Sequence, residues 1–163
     1  MKKLKPTQAN KLFDSYISPI LTYASEIWSL YTKQSFDMWD KNDVEKVHLR
    51  YCRYFLGIGN KSSNIACRGE LGRFPLKILT DKLTIKYFNH LICLPDDTLA
   101  KQSLFLSISL FKNNKSCYIS NFQKMLNYHD PSLTFSIERI IDNTSINTIK
   151  HCMKNNYFKT WKN

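Results

Sequence analysis

The sequence predicts a mostly α protein, an irregular bundle of about six to eight helices. Two observations carry this. Only 4 Gly and 5 Pro in 163 residues leave few places for the tight turns of a many-stranded sheet. Apolar residues also recur at three- and four-residue steps along most of the chain, which is the period of a helix with one buried face. An apolar share of 43%, with 9 Tyr, 10 Phe and 3 Trp, suffices for a core in a chain of single-domain length.

From Gln8 to Tyr31, the positions Leu12/Phe13, Tyr16/Ile17, Ile20/Leu21, Ala24 and Ile27/Trp28 follow helical spacing. Pro19 lacks an N–H and interrupts this run. Ser18 is placed to cap a new helix with Pro19 at its first position, so two collinear helices or one kinked helix are expected. The next helix spans 42–57. Asn42 is its N-cap, Glu45 reaches back in a capping box, and Gly57 and Gly59 end it. On this helix Val44, Val47, Tyr51, Tyr54, Phe55 and Ile58 form one broad apolar face, with Leu49, Cys52 and Leu56 beside it; Lys46, Arg50 and Arg53 share the remaining stripe.

A short helix over 64–71 stops at Gly72. Phe74 and Pro75 open a longer one, with Leu76, Leu79, Leu83, Tyr87, Leu91 and Leu94 as its core stripe. "LPDDT", 94–98, is a turn whose acids begin the following helix. Beyond it, "FKNNKSCY", 111–118, reads as a loop, 118–128 as a helix, "HDPS" as another break, and 133–142 and 145–153 as shorter helices. The expected organisation is a basic flank over 1–10, a helical domain over 11–112 and a variable helical tail over 113–163.

Lysine and arginine outnumber acids 24 to 13, a formal charge of +11 that favours a polyanionic partner. Lys2, Lys3, Lys5 and Lys11 at one end, and Lys150, Lys154, Lys159 and Lys162 at the other, stand in runs without an acid. Such runs are read as solvated basic flanks, with polyanion contact as the second reading. Five widely spaced cysteines, never in a C-x-x-C pair, describe neither a disulfide framework nor a zinc site. The four histidines do not combine with them at ligand spacing, so no metal and no cofactor are expected. No apolar stretch approaches the roughly 20 residues of a membrane span, and the N-terminus lacks the apolar region of a secretory signal. The expectation is a soluble intracellular protein, cytoplasmic or nuclear, without membrane contact.

Asp37, Asp40 and Asp43 precede a helix start, where acids serve as caps. Asp96 and Asp97 lack the neighbouring strand and partner carboxylate of two-metal chemistry. No glycine-rich phosphate loop is present, and no self-contained catalytic apparatus is expected. The stripe of Lys46, Arg50 and Arg53 has two readings. Cations at helical spacing follow a phosphate backbone, and they equally form a solvated face whose alkyl stems cover apolar neighbours. Lys61 in the loop "GNKSSN" favours the first. Trp28, Tyr31, Trp39 and Tyr51 are candidates for base stacking, although Trp28 and Tyr51 stand at core spacing.

Three stretches together resemble one family. "KLFDSYISPILTYASEIW" (11–28), "VEKVHLRYCRYFLGIGNKSSNIACRGELGRFPL" (44–76) and the amphipathic helix after them are similar to the post-palm, thumb-like segment of LINE-type (non-LTR) retrotransposon reverse transcriptases. In that family an F-D-x-x-x-x-P-x-L-x-Y-x-S-E-x-W stretch precedes an E-K-x-H-x-x-x-x-x-x-x-L-G helix, and x-S-N-x-A-x-x-G-E-L-G-R-x-P-L follows. The match covers 8–94. Ala24 stands where a glycine is frequent, and is read as compatible with a helix.

The resemblance implies a helical thumb-like module that holds RNA or an RNA–DNA duplex, with contacts at Lys46, Arg50, Arg53, Lys61, Arg68 and Arg73. Pro19, Trp28, Gly57, Glu70, Gly72 and Pro75 are structural in this reading: Gly72 ends one helix, Pro75 starts the next, and Glu70 pairs with a nearby arginine. The chain has no Tyr/Phe-Ala-Asp-Asp motif, palm, fingers or endonuclease, so polymerase activity is not expected of it alone. The alternatives are a helical interaction module, whose apolar faces dock on a palm or another protein, and a decayed element fragment with no selected activity.

Overall fold

The computed structural model describes residues 5–32, 35–129, 131 and 143–159. Among these the regular structure is helical throughout, an irregular multi-helix bundle. Helix α1 (Pro6–Leu12) runs through a π-helical turn, Phe13–Ile17, into α2 (Ser18–Leu21). The Ser18 amide bonds to the Phe13 carbonyl five residues back, and this wider turn makes room for the Pro19 ring. Ser18 keeps helical angles and does not act as the expected cap.

The chain then breaks at Ala24, which is left-handed at φ 53°. A non-glycine residue there carries about 1–2 kcal/mol of strain between Cβ and the following carbonyl. The residue expected to continue a helix is thus the one that interrupts it, in a conformation that glycine adopts freely. Ala24→Gly is expected to stabilise the fold by about 0.5–1 kcal/mol, after allowing for the greater freedom of glycine in the unfolded chain. Urea melts of the two proteins check this; an unchanged or lower midpoint would contradict the left-handed geometry.

Two one-turn helices follow, α3 (Ser25–Trp28) and, after a 3₁₀ turn over Ser29–Tyr31, α4 (Phe36–Trp39). Helix α5 (Asp43–Leu56) is capped as expected: Asn42 Oδ1 accepts the Val44 amide, and Gly57 ends the helix at φ 68°. Its orientation differs from expectation. Glu45, His48, Leu49 and Cys52 point inward, while Val47, Tyr54 and Ile58 of the expected apolar face are exposed. Glu45 forms no capping box, because its carboxylate is used in the interior.

Helix α6 (Asn64–Glu70) is capped by Ser63 and followed by Gly72 at φ 63°. Pro75 is the N-cap of α7 (Leu76–Cys93), the central element. Its buried residues are Leu76, Lys77, Ile78, Thr80, Asp81, Thr84, Ile85, Phe88 and Leu91, so Leu79, Leu83, Tyr87 and Leu94 of the expected stripe lie at its margin, half-buried. Helices α8 (Leu99–Lys112, capped by Thr98), α9 (Tyr118–His129) and α10 (Asn143–Lys159) complete the bundle.

The main core joins Ile78, Ile85 and Phe88 of α7 to Phe122 and Met125 of α9 and to Ile149, Met153 and Tyr157 of α10. It therefore crosses the boundary expected after residue 112. The helix expected over 133–142 lies outside the described residues. Among the described residues no helix is long and apolar enough to cross a membrane.

Candidate functional site

The N-terminus of α7 packs against α5, where the chain buries charge. Glu45 is 0% exposed and accepts four hydrogen bonds. Trp39 Nε1 and the Leu76 amide reach Oε2 at 2.9 and 2.8 Å; His48 Nδ1 and Arg68 Nη1 reach Oε1, each at 2.9 Å. Arg68, 1% exposed, also donates to both Asp40 oxygens, at 2.8 and 3.2 Å, and through Nε to the Tyr157 hydroxyl at 2.8 Å. Arg73 stacks over Phe13, donates from Nε to His48 Nε2 at 2.7 Å and pairs with Asp14 at 2.7 Å. Since Nε2 accepts from Arg73, Nδ1 carries the hydrogen and donates a hydrogen bond to the Glu45 carboxylate.

Burial pushes the Glu45 carboxyl up, but the hydrogen bond from His48, the charge of Arg68 and the Leu76 amide outweigh it and hold the pKa below the ordinary value. A second buried group lies further along α7. Asp81 accepts from Lys77 at 2.8 Å and from His129 Nε2 at 2.7 Å, and these partners likewise hold its carboxyl low against burial. Both folded pKa values lie below the unfolded ones, so their stabilisation is present at neutral pH and is lost as pH falls. Melting temperature is therefore expected to decline below about pH 4.5, the ordinary value for Glu45, and further below 3.8, that for Asp81. Thermal melts from pH 7 to 3 test this; a curve flat to pH 3 would contradict it.

The first cluster ties α5, α6 and the start of α7 together through buried charge. Both His48 nitrogens are committed. Burial pushes the neighbouring Cys52 thiol up to about 11, which keeps it protonated. The five cysteines are unbonded.

This cluster corrects part of the expected nucleic-acid interface. Arg68 is interior and has no surface to offer a phosphate. Arg73 is nearly buried and held by Asp14, His48 and Asn10. Arg53 turns to the Ser62 carbonyl, at 3.0 Å, and to Asn64, pinning the "GNKSSN" loop. Lys46 and Arg50 remain exposed on α5, with Tyr54 between them and the helix end and Lys61 in the loop; Lys46 pairs with Asp43 at 2.8 Å. Glu70 is exposed and forms no ion pair with a described residue. Trp28 is half-buried, stacked parallel to the buried Trp39 at 6.2 Å, and its Nε1 donates to the Tyr23 carbonyl. Tyr51 is half-buried, its hydroxyl bonded to the Ala9 carbonyl, while Tyr31 is exposed.

The outer face of the N-terminal segment carries the feature that periodicity alone misassigned. In each apolar pair one member turns inward and the other outward. Leu12, Tyr16, Ile20, Tyr23, Ile27 and Tyr31 are exposed, with Tyr16, Ile20 and Tyr23 at 70, 77 and 82%. Ile27 and Tyr31 continue into an apolar cleft of about 540 Å³ shared with Tyr87, Leu91, Leu99 and Tyr118. These side chains give the outer face of the N-terminal segment an exposed apolar ridge. Compared with protein-family models, characterised proteins and solved structures, the chain matches none.

Proposed function

We propose that the chain is the post-palm helical module of a LINE-type reverse transcriptase and acts as a docking element, its outward apolar ridge seated on a polymerase palm. The observation that carries this reading is the ridge itself. Leu12, Tyr16, Ile20, Tyr23 and Ile27 all fall within the stretch 11–28 that resembles the segment following the palm, and they are exposed. A second observation supports the resemblance. Asp14, Glu45, His48, Asn64 and Arg73, polar letters of the motif that are far apart in sequence, belong to one connected set of hydrogen bonds in the fold.

The test is a binding titration against a separately produced palm fragment of such an enzyme, with sedimentation velocity on the chain alone. The wild type is expected to bind the palm and to grow in size with concentration. Tyr16→Ser/Ile20→Ser/Tyr23→Ser is expected to abolish both, while Lys46→Ala/Arg50→Ala leaves both intact. A wild type that stays monomeric and ignores the palm would refute the docking role.

A second reading, contact with RNA or an RNA–DNA duplex, is favoured by one feature: the exposed face of α5 sets the 86% exposed Tyr54 beside Lys46 and Arg50, an aromatic platform among cations. Fluorescence anisotropy with an RNA hairpin at several salt concentrations tests it. Lys46→Ala/Arg50→Ala/Lys61→Ala should lower the log–log salt slope by about 0.9 per cation on a B-DNA scale; equal binding by both proteins would exclude this face.

A further inference from the structure

Beside the buried cluster, α7 and α10 enclose a cleft of about 460 Å³ lined by Arg73, Phe74, Leu79, Lys82, Lys150 and Lys154, among others. Lys150 and Lys154 stand four residues apart on one face of α10 and look across at Lys82 of α7. The lining carboxylate, Asp14, is taken by Arg73 at 2.7 Å. Among the described residues, Lys82, Lys150 and Lys154 have no ion pair. The Lys154 ammonium lies 4.6 Å from the Phe74 ring centre, which steadies it over the cleft.

Like charges gathered in a half-enclosed space repel, and they repel more strongly than in open water. Partial burial, then the charges of Lys150 and Lys86, hold Lys82 below its ordinary pKa. Such a cleft gains most from a compact ligand bearing several negative charges. Its size falls within the range of small-molecule sites, and Phe74, Leu79 and Ile78 supply an apolar wall next to the lysines.

We propose that this cleft binds a chain of linked phosphates, as carried by a nucleoside triphosphate or by inorganic polyphosphate, through Lys82, Lys150 and Lys154. These lysines are distinct from the α5 cations, and the site does not depend on the docking ridge.

Isothermal titration with inorganic tripolyphosphate tests the site. The wild type is expected to bind, and Lys82→Gln/Lys150→Gln to weaken binding at least tenfold. Removing two mutually repelling charges favours folding, so a melting curve at or above that of the wild type will show that the loss is local. Lys112→Gln/Lys115→Gln, exposed and outside the cleft, is expected to bind like the wild type. Tighter binding of adenosine triphosphate would identify the ligand as a nucleotide using the apolar wall; equal binding would identify the phosphate chain itself as the determinant. The proposal fails if the folded wild type gives no binding heat, if the Lys82/Lys150 variant binds unchanged, or if the Lys112/Lys115 variant loses as much.

Discussion

Glu45→Ala is expected to lower stability by about 3–5 kcal/mol, the scale seen when one side of a buried ion pair is removed. Four donors lose their acceptor at once: the Trp39 indole, the His48 imidazole, the Arg68 guanidinium and the Leu76 amide. The surrounding interior cannot replace them with water without opening the contact between α5 and α7. Against a typical total of about 5–15 kcal/mol, this removes a large part of the margin. Glu45→Gln keeps the shape but turns one acceptor into a donor facing other donors, so it is expected to lose much of the same. Urea denaturation gives both values, and a loss below about 1 kcal/mol for Glu45→Ala would show that the carboxylate is not the hub of this contact.

Asp81→Ala is expected to have an effect of similar size, for a different reason. Lys77, 0% exposed, would keep a buried ammonium without the carboxylate that faces it, and His129 would lose the acceptor of Nε2. The Trp39 and Tyr128 rings, 5.7 and 5.8 Å from the Lys77 ammonium, soften this loss but do not replace a full counter-charge. The expected cost is about 3–5 kcal/mol. The informative companion is Lys77→Met/Asp81→Leu, which replaces both members of this ion pair. It is expected to recover most of the loss, since apolar replacement of a buried pair is often neutral or stabilising. If the double variant is no better than Asp81→Ala, the cost arises from packing around His129 rather than from the loss of the carboxylate facing Lys77.

Local signals in the sequence identify the helices well. Asn42, Gly57, Gly72 and Pro75 act through backbone chemistry within a few residues, and each stands at a helix end. Which face turns inward was less legible. On α5, counting apolar residues points Val47 and Tyr54 to the core, whereas the buried side carries Glu45 and His48. An isolated glutamate is costly to bury, so periodicity assigns it to water. That judgement reverses when Arg68, 23 residues away, supplies the opposite charge, and such a meeting leaves no trace in a helical repeat. The same logic hid Lys77 and Asp81, although their spacing of four on one helix was a usable sign of a pair.

The expected cation interface shrank for a related reason. Arg53, Arg68 and Arg73 have carbonyl, carboxylate and imidazole partners that only the folded chain brings near. Tyr16, Ile20 and Ile27 of the ridge were visible in an apolar run, but a run does not say whether its partner lies in the same chain.

The hydrogen bond from Arg68 to the Tyr157 hydroxyl joins residues 89 apart. Bringing such distant segments together restricts the chain before it yields any attraction, which slows the search for the native state and places the contact late in it. A contact absent at the folding barrier exerts its effect on the reverse journey. Tyr157→Phe should therefore leave the refolding rate nearly unchanged and hasten escape from the native state, making the last helix the latch that sets the lifetime of the folded molecule.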